Sequence, residues 1–204
     1  GVPLRSYIKI YKGKIFLINQ DNRLLSFNTK DGSKIWDVRS IKSFIKAQHF
    51  LSLAVSEQGD VVVINSSGDL FKVNGENGNI YWSVNTSGSF FAHATDFFKP
   101  SVIVINNNDI IFSNGLSIFS YDLNNGLISW KQNAGTTGTP IIDGNNIFFV
   151  TDNGYFIIMD KDTGKIISST NILKILKKKK QKTKITGFIL ASEKLYTVTL
   201  NGYI

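Results

Sequence analysis

The sequence predicts an all-β fold, a β-propeller of four-stranded antiparallel blades, on three observations. Asn28, Gly32 and Trp36 recur as Asn74, Gly78 and Trp82 after 46 residues, and as Asp122, Gly126 and Trp130 after 48 more. A fourth copy carries Asp160, Thr163 and Gly164, with Ser168 in the tryptophan's place. Similarity at a period of about 40–50 residues, built from strands and turns, marks a propeller. Second, the segments between turns are short and rich in Val, Ile, Phe and Tyr, as strands are. Third, Asn171–Lys184 is the only helix candidate, and its lysines make it poorly amphipathic.

Each unit shows the same order of signals. A first apolar strand and a short turn lead to a second strand, at Lys14–Ile18, Val61–Ile64, Ile110–Phe112 and Ile147–Val150. Turns at Asp21-Asn22, Ser67-Gly68, Asn114-Gly115 and Asn153-Gly154 follow, residue types that accept positive φ and suit tight hairpins. Third strands run Leu24–Phe27, Leu70–Val73, Ile118–Tyr121 and Phe156–Met159. The Asx–Gly turn then leads to a fourth strand ending at the tryptophan position. Gly187–Leu190, Lys194–Leu200 and the Asn201-Gly202 turn begin a fifth unit. These signals divide residues 1–204 into one partial propeller domain with blades at 1–46, 47–94, 95–134 and 135–184 and an incomplete one at 185–204. Closed rings usually have about six to eight blades, so the chain reads as an internal fragment of a longer propeller.

Composition removes several function classes. No segment approaches the 18 or so apolar residues of a membrane-spanning helix, and Gly1 opens into repeat material without a signal-peptide pattern. The absence of cysteine excludes disulfides, thiolate metal sites and cysteine nucleophiles for these residues. The net charge of +8 is local. Lys174, Lys177, Lys178, Lys179, Lys180, Lys182 and Lys184 fall in one acid-free stretch, and without those seven the charge is +1. Such a run is either a solvated insertion between blades or a contact for anionic lipid headgroups or an acidic partner. Nucleic acid is not an expected partner, because no aromatic residues interleave with the lysines as stacking platforms.

The repeated residues have structural roles first. An Asn or Asp side chain bonds its own backbone two residues on, and Gly supplies the left-handed turn conformation. The tryptophan four residues later is large and flat and can donate from its ring nitrogen, so it can hold one blade against the next. Gly32, Gly78, Gly126 and Gly164 with Trp36, Trp82 and Trp130 are thus expected to be a structural repeat.

The pattern resembles the tryptophan-docking repeat of the quinoprotein (PQQ-type) propellers, Ala-x-Asp-x-x-Thr-Gly-x-x-x-Trp, followed most closely at 119–130 and 158–168. Two kinds of protein share that repeat: PQQ-dependent alcohol dehydrogenases and the BamB family. Pro3-Leu4-Arg5-Ser6, Gly13-Lys14-Ile15-Phe16, Asp21-Asn22-Arg23-Leu24 and Gly59-Asp60-Val61-Val62-Val63 are similar to the middle blades of the BamB family, and Asn133 to Pro140 to its Gly-Thr-x-x-Pro blade entry. Ser168 in place of tryptophan, Asn28 and Asn74 in place of aspartate, and the lysine run depart from it. The resemblance implies a ring of eight blades on the periplasmic side of the outer membrane, held by a lipid on a cysteine outside these residues. It implies a non-catalytic scaffold that assists insertion of β-barrel proteins by binding the POTRA domains of BamA. It also implies that Leu4 and Arg5, with Asp96 in a nearby connection, touch that partner; Arg5 alternatively caps a strand edge. Lys177–Lys180 are the candidate contact with an anionic membrane surface.

The search for chemistry is mostly negative. His49 and His93 lie 44 residues apart without a third ligand at consistent spacing. Asp31, Asp122 and Asp162 sit in the repeated turns, where geometry explains them better than acid–base catalysis. No Gly-rich phosphate motif appears, and no catalytic, cofactor or metal residue is assigned. The alternatives are a PQQ-dependent quinoprotein dehydrogenase, which would need a catalytic aspartate and calcium ligands, and a generic propeller that binds a ligand or peptide on its face.

Overall fold

A computed structural model describes residues 1–39, 46–47, 49–86, 100–176, 185–202 and 204. It contains four four-stranded antiparallel sheets, each a meander in chain order, and a final hairpin. The first sheet comprises β1 (Lys9–Tyr11), β2 (Lys14–Ile18), β3 (Leu24–Asn28) and β4 (Lys34–Val38). The second comprises β5 (Ser52–Val55), β6 (Val61–Ile64), β7 (Asp69–Val73) and β8 (Ile80–Asn85). The third comprises β9 (Val104–Asn106), β10 (Asp109–Ser113), β11 (Ile118–Asp122) and β12 (Ile128–Gln132). The fourth comprises β13 (Ile141–Asp143), β14 (Asn146–Val150), β15 (Tyr155–Asp160) and β16 (Ile166–Asn171). The hairpin joins β17 (Ile185–Ala191) and β18 (Lys194–Thr199). The helix candidate at 171–184 is a single 3₁₀ turn, Ile172–Leu176, among its described residues. It is anchored where Ile172 N donates to Gly154 O at 3.0 Å and Leu173 covers Gly154.

Alternation within strands decides how the sheets stack. Side chains on a strand point to opposite faces in turn, and the middle sheets are covered on both. Val61 and Val63 join Phe16, Ile18, Leu24 and Trp36 in one core between the first and second sheets. Their neighbours Val62 and Ile64 join Ile110, Phe112 and Phe119 in the next core, between the second and third. A third core holds Ile111, Ile118, Ile147 and Phe149, with Phe188 of β17 packed against it. Double burial explains why β6 reads as an unbroken Val-Val-Val-Ile run. Each fully buried side chain of this size contributes about 1.5–3 kcal/mol.

The same irregularity recurs in every sheet. The pairing of third and fourth strands shifts at Ser26/Phe27, Lys72/Val73, Ser120/Tyr121 and Ile158/Met159. A bulge bends the strand and increases its twist. It falls one residue before the tryptophan position each time, opposite Ser26, Lys72, Ser120 and Ile158. The bulge therefore turns the outer strand where it must meet the next sheet. The first strands form the opposite margin, with β1 packed beside β5 and β5 beside β9. The hairpins between second and third strands and the connections between sheets emerge at one end of the sheets, because Val38 pairs with Leu24 beside the Asn19–Asn22 hairpin.

Candidate functional site

Two constellations stand out: the seams between sheets, and the end that carries the connections. At the seams, Trp36 Nε1 donates to Gly75 O at 3.2 Å, Trp82 Nε1 to Leu123 O at 3.1 Å and Trp130 Nε1 to Lys161 O at 2.8 Å. Each acceptor lies three residues before the repeated glycine of the next sheet. The same indole lies flat on that glycine. A Cβ built on Gly78 would meet Trp36 Cδ2 at 2.9 Å, on Gly126 Trp82 Cε3 at 2.6 Å, and on Gly164 Trp130 Cδ2 at 2.6 Å. These glycines also hold φ of +78°, +71° and +66°. No other residue serves both requirements. Gly32 has the same backbone, φ +70°, but nothing within 4 Å of its Cβ position, and Ser168 offers no indole.

The turn under each indole is made rigid by its Asx residue. Asp122 Oδ1 accepts from Asn124 N and Asn125 N, and Asp160 Oδ1 accepts from the Thr163 hydroxyl at 2.6 Å and its N–H at 2.8 Å. The Thr163 hydroxyl and amide hold the Asp160 carboxyl below its ordinary range. Ion pairs cross two seams beside the indoles with inverted polarity: Lys14 to Glu76 at 2.7 Å and Asp109 to Lys161 at 2.7 Å. Asp109 raises the Lys161 ammonium above its ordinary value. Asp37 is held low by Lys34 and then Arg23. These carboxylates are occupied in turns and pairs. Among the described residues no three His, Cys, Asp or Glu side chains converge as a metal site.

The connection end carries Leu4 and Arg5. Leu4 bridges Asn19 in the first hairpin, and Ser6 bridges Leu51 ahead of β5. Leu4 is 41% exposed, and Arg5 is half-buried. The Arg5 Nε is shut from solvent without a hydrogen-bond partner, and no carboxylate among the described residues pairs with the guanidinium. His49 is exposed. His93, Asp96 and Lys177–Lys180 lie outside the described residues. Tyr7 and Phe50, which carry no sequence signal apart from strand periodicity, form a ring contact with centroids 5.7 Å apart beside Arg5. At the same end an open cleft of about 300 Å³ between the fourth sheet and the β17–β18 hairpin is lined by Thr136, Thr137, Asp152, Thr186 and Phe188. Its carboxylate already accepts from Thr137 N and Oγ1 at 3.0 and 2.8 Å.

Four-stranded meanders stacked face to face, each closed onto the next by an indole on a glycine turn, define a β-propeller with tryptophan-docked blades. Residues 2–170 match the family described as outer membrane protein assembly factor BamB, and the chain belongs to that family. The crystal structure of BamB from Moraxella catarrhalis is similar, at 16% identity and a TM-score of 0.63, over 82% of this chain and 53% of that one. Quinohemoprotein alcohol dehydrogenase from Comamonas testosteroni is similar at 14% identity and a TM-score of 0.68, over 98% of this chain and 39% of that one. The computationally designed Ika8 protein shares 11% identity at a TM-score of 0.65, over 93% of this chain and 54% of that one. At these identities the likeness is one of fold. The chain spans about half the length of the BamB structure it matches. No curated protein sequence matches it.

Proposed function

We propose that this chain is part of a non-catalytic scaffold that assists assembly and insertion of β-barrel proteins into the outer membrane by binding the POTRA domains of BamA. The reading places it on the periplasmic side of that membrane, lipid-anchored. The observation that carries it is the family match over residues 2–170. Leu4, exposed, and Arg5, without a carboxylate partner among the described residues, supply a contact of fitting chemistry. An arginine offers a planar fork to a partner carboxylate, and a neighbouring leucine adds apolar burial. Asp96 is proposed as a second contact, and Lys177–Lys180 as a contact with anionic headgroups, the latter read by salt-sensitive cosedimentation with anionic vesicles.

The test is capture of purified BamA POTRA domains by the full-length protein. Leu4→Ala/Arg5→Ala weakens capture by at least about 1 kcal/mol and leaves the melting curve intact. Unchanged capture beside an intact melting curve removes these residues from the contact. The rival reading, a PQQ-dependent dehydrogenase, draws on the fold shared with the Comamonas testosteroni enzyme. It is checked by dye-linked alcohol oxidation after addition of PQQ and calcium, and no activity is expected.

A further inference from the structure

Tyr7 and Phe50 are 63% and 55% exposed, although their rings lie in contact. Large aromatic side chains that could face a core usually do, and the chain after Phe50 supplies core residues: Leu51 and Leu53 are 2% and 3% exposed. Tyr7 precedes β1, whose last residue, Tyr11, packs against the core between the first and second sheets. Tyr7 follows Ser6, which bridges Leu51, so its ring lies where the first and second sheets meet. Phe50 reaches the same place from the second sheet. The result is an aromatic pair spanning two blades at the end where the connections emerge.

The ionisable residues next to this pair along the chain are basic. Arg5 is two residues away and carries a guanidinium with no carboxylate within ion-pair distance among the described residues. Its Nε is shut from solvent without a hydrogen-bond partner among the described residues. Lys46 and His49, both exposed, lead into Phe50. Asp21 lies in the hairpin that Leu4 bridges, and Asp37 on β4 is engaged by Lys34 and Arg23. Tyr, Phe and Arg, residue types enriched at interface cores, come together here beside Leu4.

We propose that Tyr7 and Phe50 form, with Leu4 and Arg5, one docking patch across the seam between the first two blades. Its occupant is a protein surface that presents a carboxylate beside an apolar side chain. The carboxylate takes the Arg5 fork, and the apolar side chain lies on the two rings. This patch extends the partner contact proposed above and rests on that reading. Because it straddles a seam, it also requires both blades to be docked before the partner can bind.

Binding of the full-length protein to purified POTRA domains of BamA from the same organism tests the patch. Tyr7→Ala/Phe50→Ala weakens binding by about tenfold or more, whereas Tyr7→Phe/Phe50→Tyr, which keeps both rings, stays within about twofold of the parent. If the alanine pair binds within twofold while Leu4→Ala/Arg5→Ala is weakened, the aromatic patch is wrong and the partner reading stands. If the unmutated protein does not bind at all, both fall. Should the alanine pair melt early, a benzophenone amino acid at position 7 or 50 decides: it crosslinks to the bound POTRA domains if the patch is the contact, and absence of a crosslink in a saturated complex overturns the proposal.

Discussion

Replacing Gly126 by alanine in the 204-residue chain separates the two reasons why a glycine stands there. The first is backbone strain. At φ +71° any Cβ costs about 1–2 kcal/mol, because the left-handed conformation crowds it against the following carbonyl. The second is the indole. The added Cβ would lie 2.6 Å from Trp82 Cε3 and 2.7 Å from Cδ2, so the ring must leave its seat and strain its bond to Leu123 O. Overpacking of this kind costs about 1–3 kcal/mol more. Gly32→Ala is the internal control, since Gly32 has φ +70° and nothing within 4 Å of its Cβ position. Urea unfolding of the two variants therefore differs by about 2 kcal/mol, with Gly126→Ala the less stable. Gly164→Ala, whose Cβ would meet Trp130 at 2.6 Å, behaves like Gly126→Ala. Equal losses at Gly32 and Gly126 would refute the docking account and leave only turn geometry.

Other consequences follow from the seams and turns. Thr163→Val removes the hydroxyl bond that holds the Asp160 carboxyl low, so its titration moves up towards the ordinary carboxylate range. In the parent chain the contribution of Asp160 is present above the unfolded carboxylate pKa and is lost as pH falls through the lower folded value. NMR titration of the carboxyl carbon checks this, and an unmoved curve in the variant contradicts it. Asp109→Asn breaks the seam pair with Lys161, both partners being partly buried, and costs about 1 kcal/mol at low salt, less at high salt. A salt-independent loss, or none, would show that the pair does not hold the seam.

The fold was largely legible because its signal is periodic. The Asx–Gly–Trp spacing marks each sheet, and β2 and β6 have the very bounds that their hydrophobic runs suggest. Most other strands extend by one or two residues, as at Asp109–Ser113, where polar residues continue the ladder without an apolar signal, while the strand read as 194–200 ends at Thr199. The helix candidate at 171–184 holds a 3₁₀ turn only at Ile172–Leu176 among its described residues, ahead of the main lysine run. At the seams, the glycine and the tryptophan could be read but their partners could not. The indole acceptors are backbone carbonyls of Gly75, Leu123 and Lys161, three unrelated residue types. The ion pairs were equally invisible, because Lys14–Glu76 and Asp109–Lys161 invert their polarity from one seam to another. Tyr7 and Phe50 look like ordinary strand residues in sequence, and only the stacking of two sheets brings their rings together at the surface.

The central proposal is that the protein to which this chain belongs serves β-barrel assembly as a non-catalytic scaffold. The most direct measurement is the amount of folded β-barrel protein in the outer membrane of cells that lack the gene, with and without a restored copy. The account predicts a fall in folded barrels that the intact gene reverses and that a copy carrying Leu4→Ala/Arg5→Ala reverses less well. Barrel levels unchanged by the deletion, together with a loss of PQQ-dependent alcohol oxidation, would contradict it.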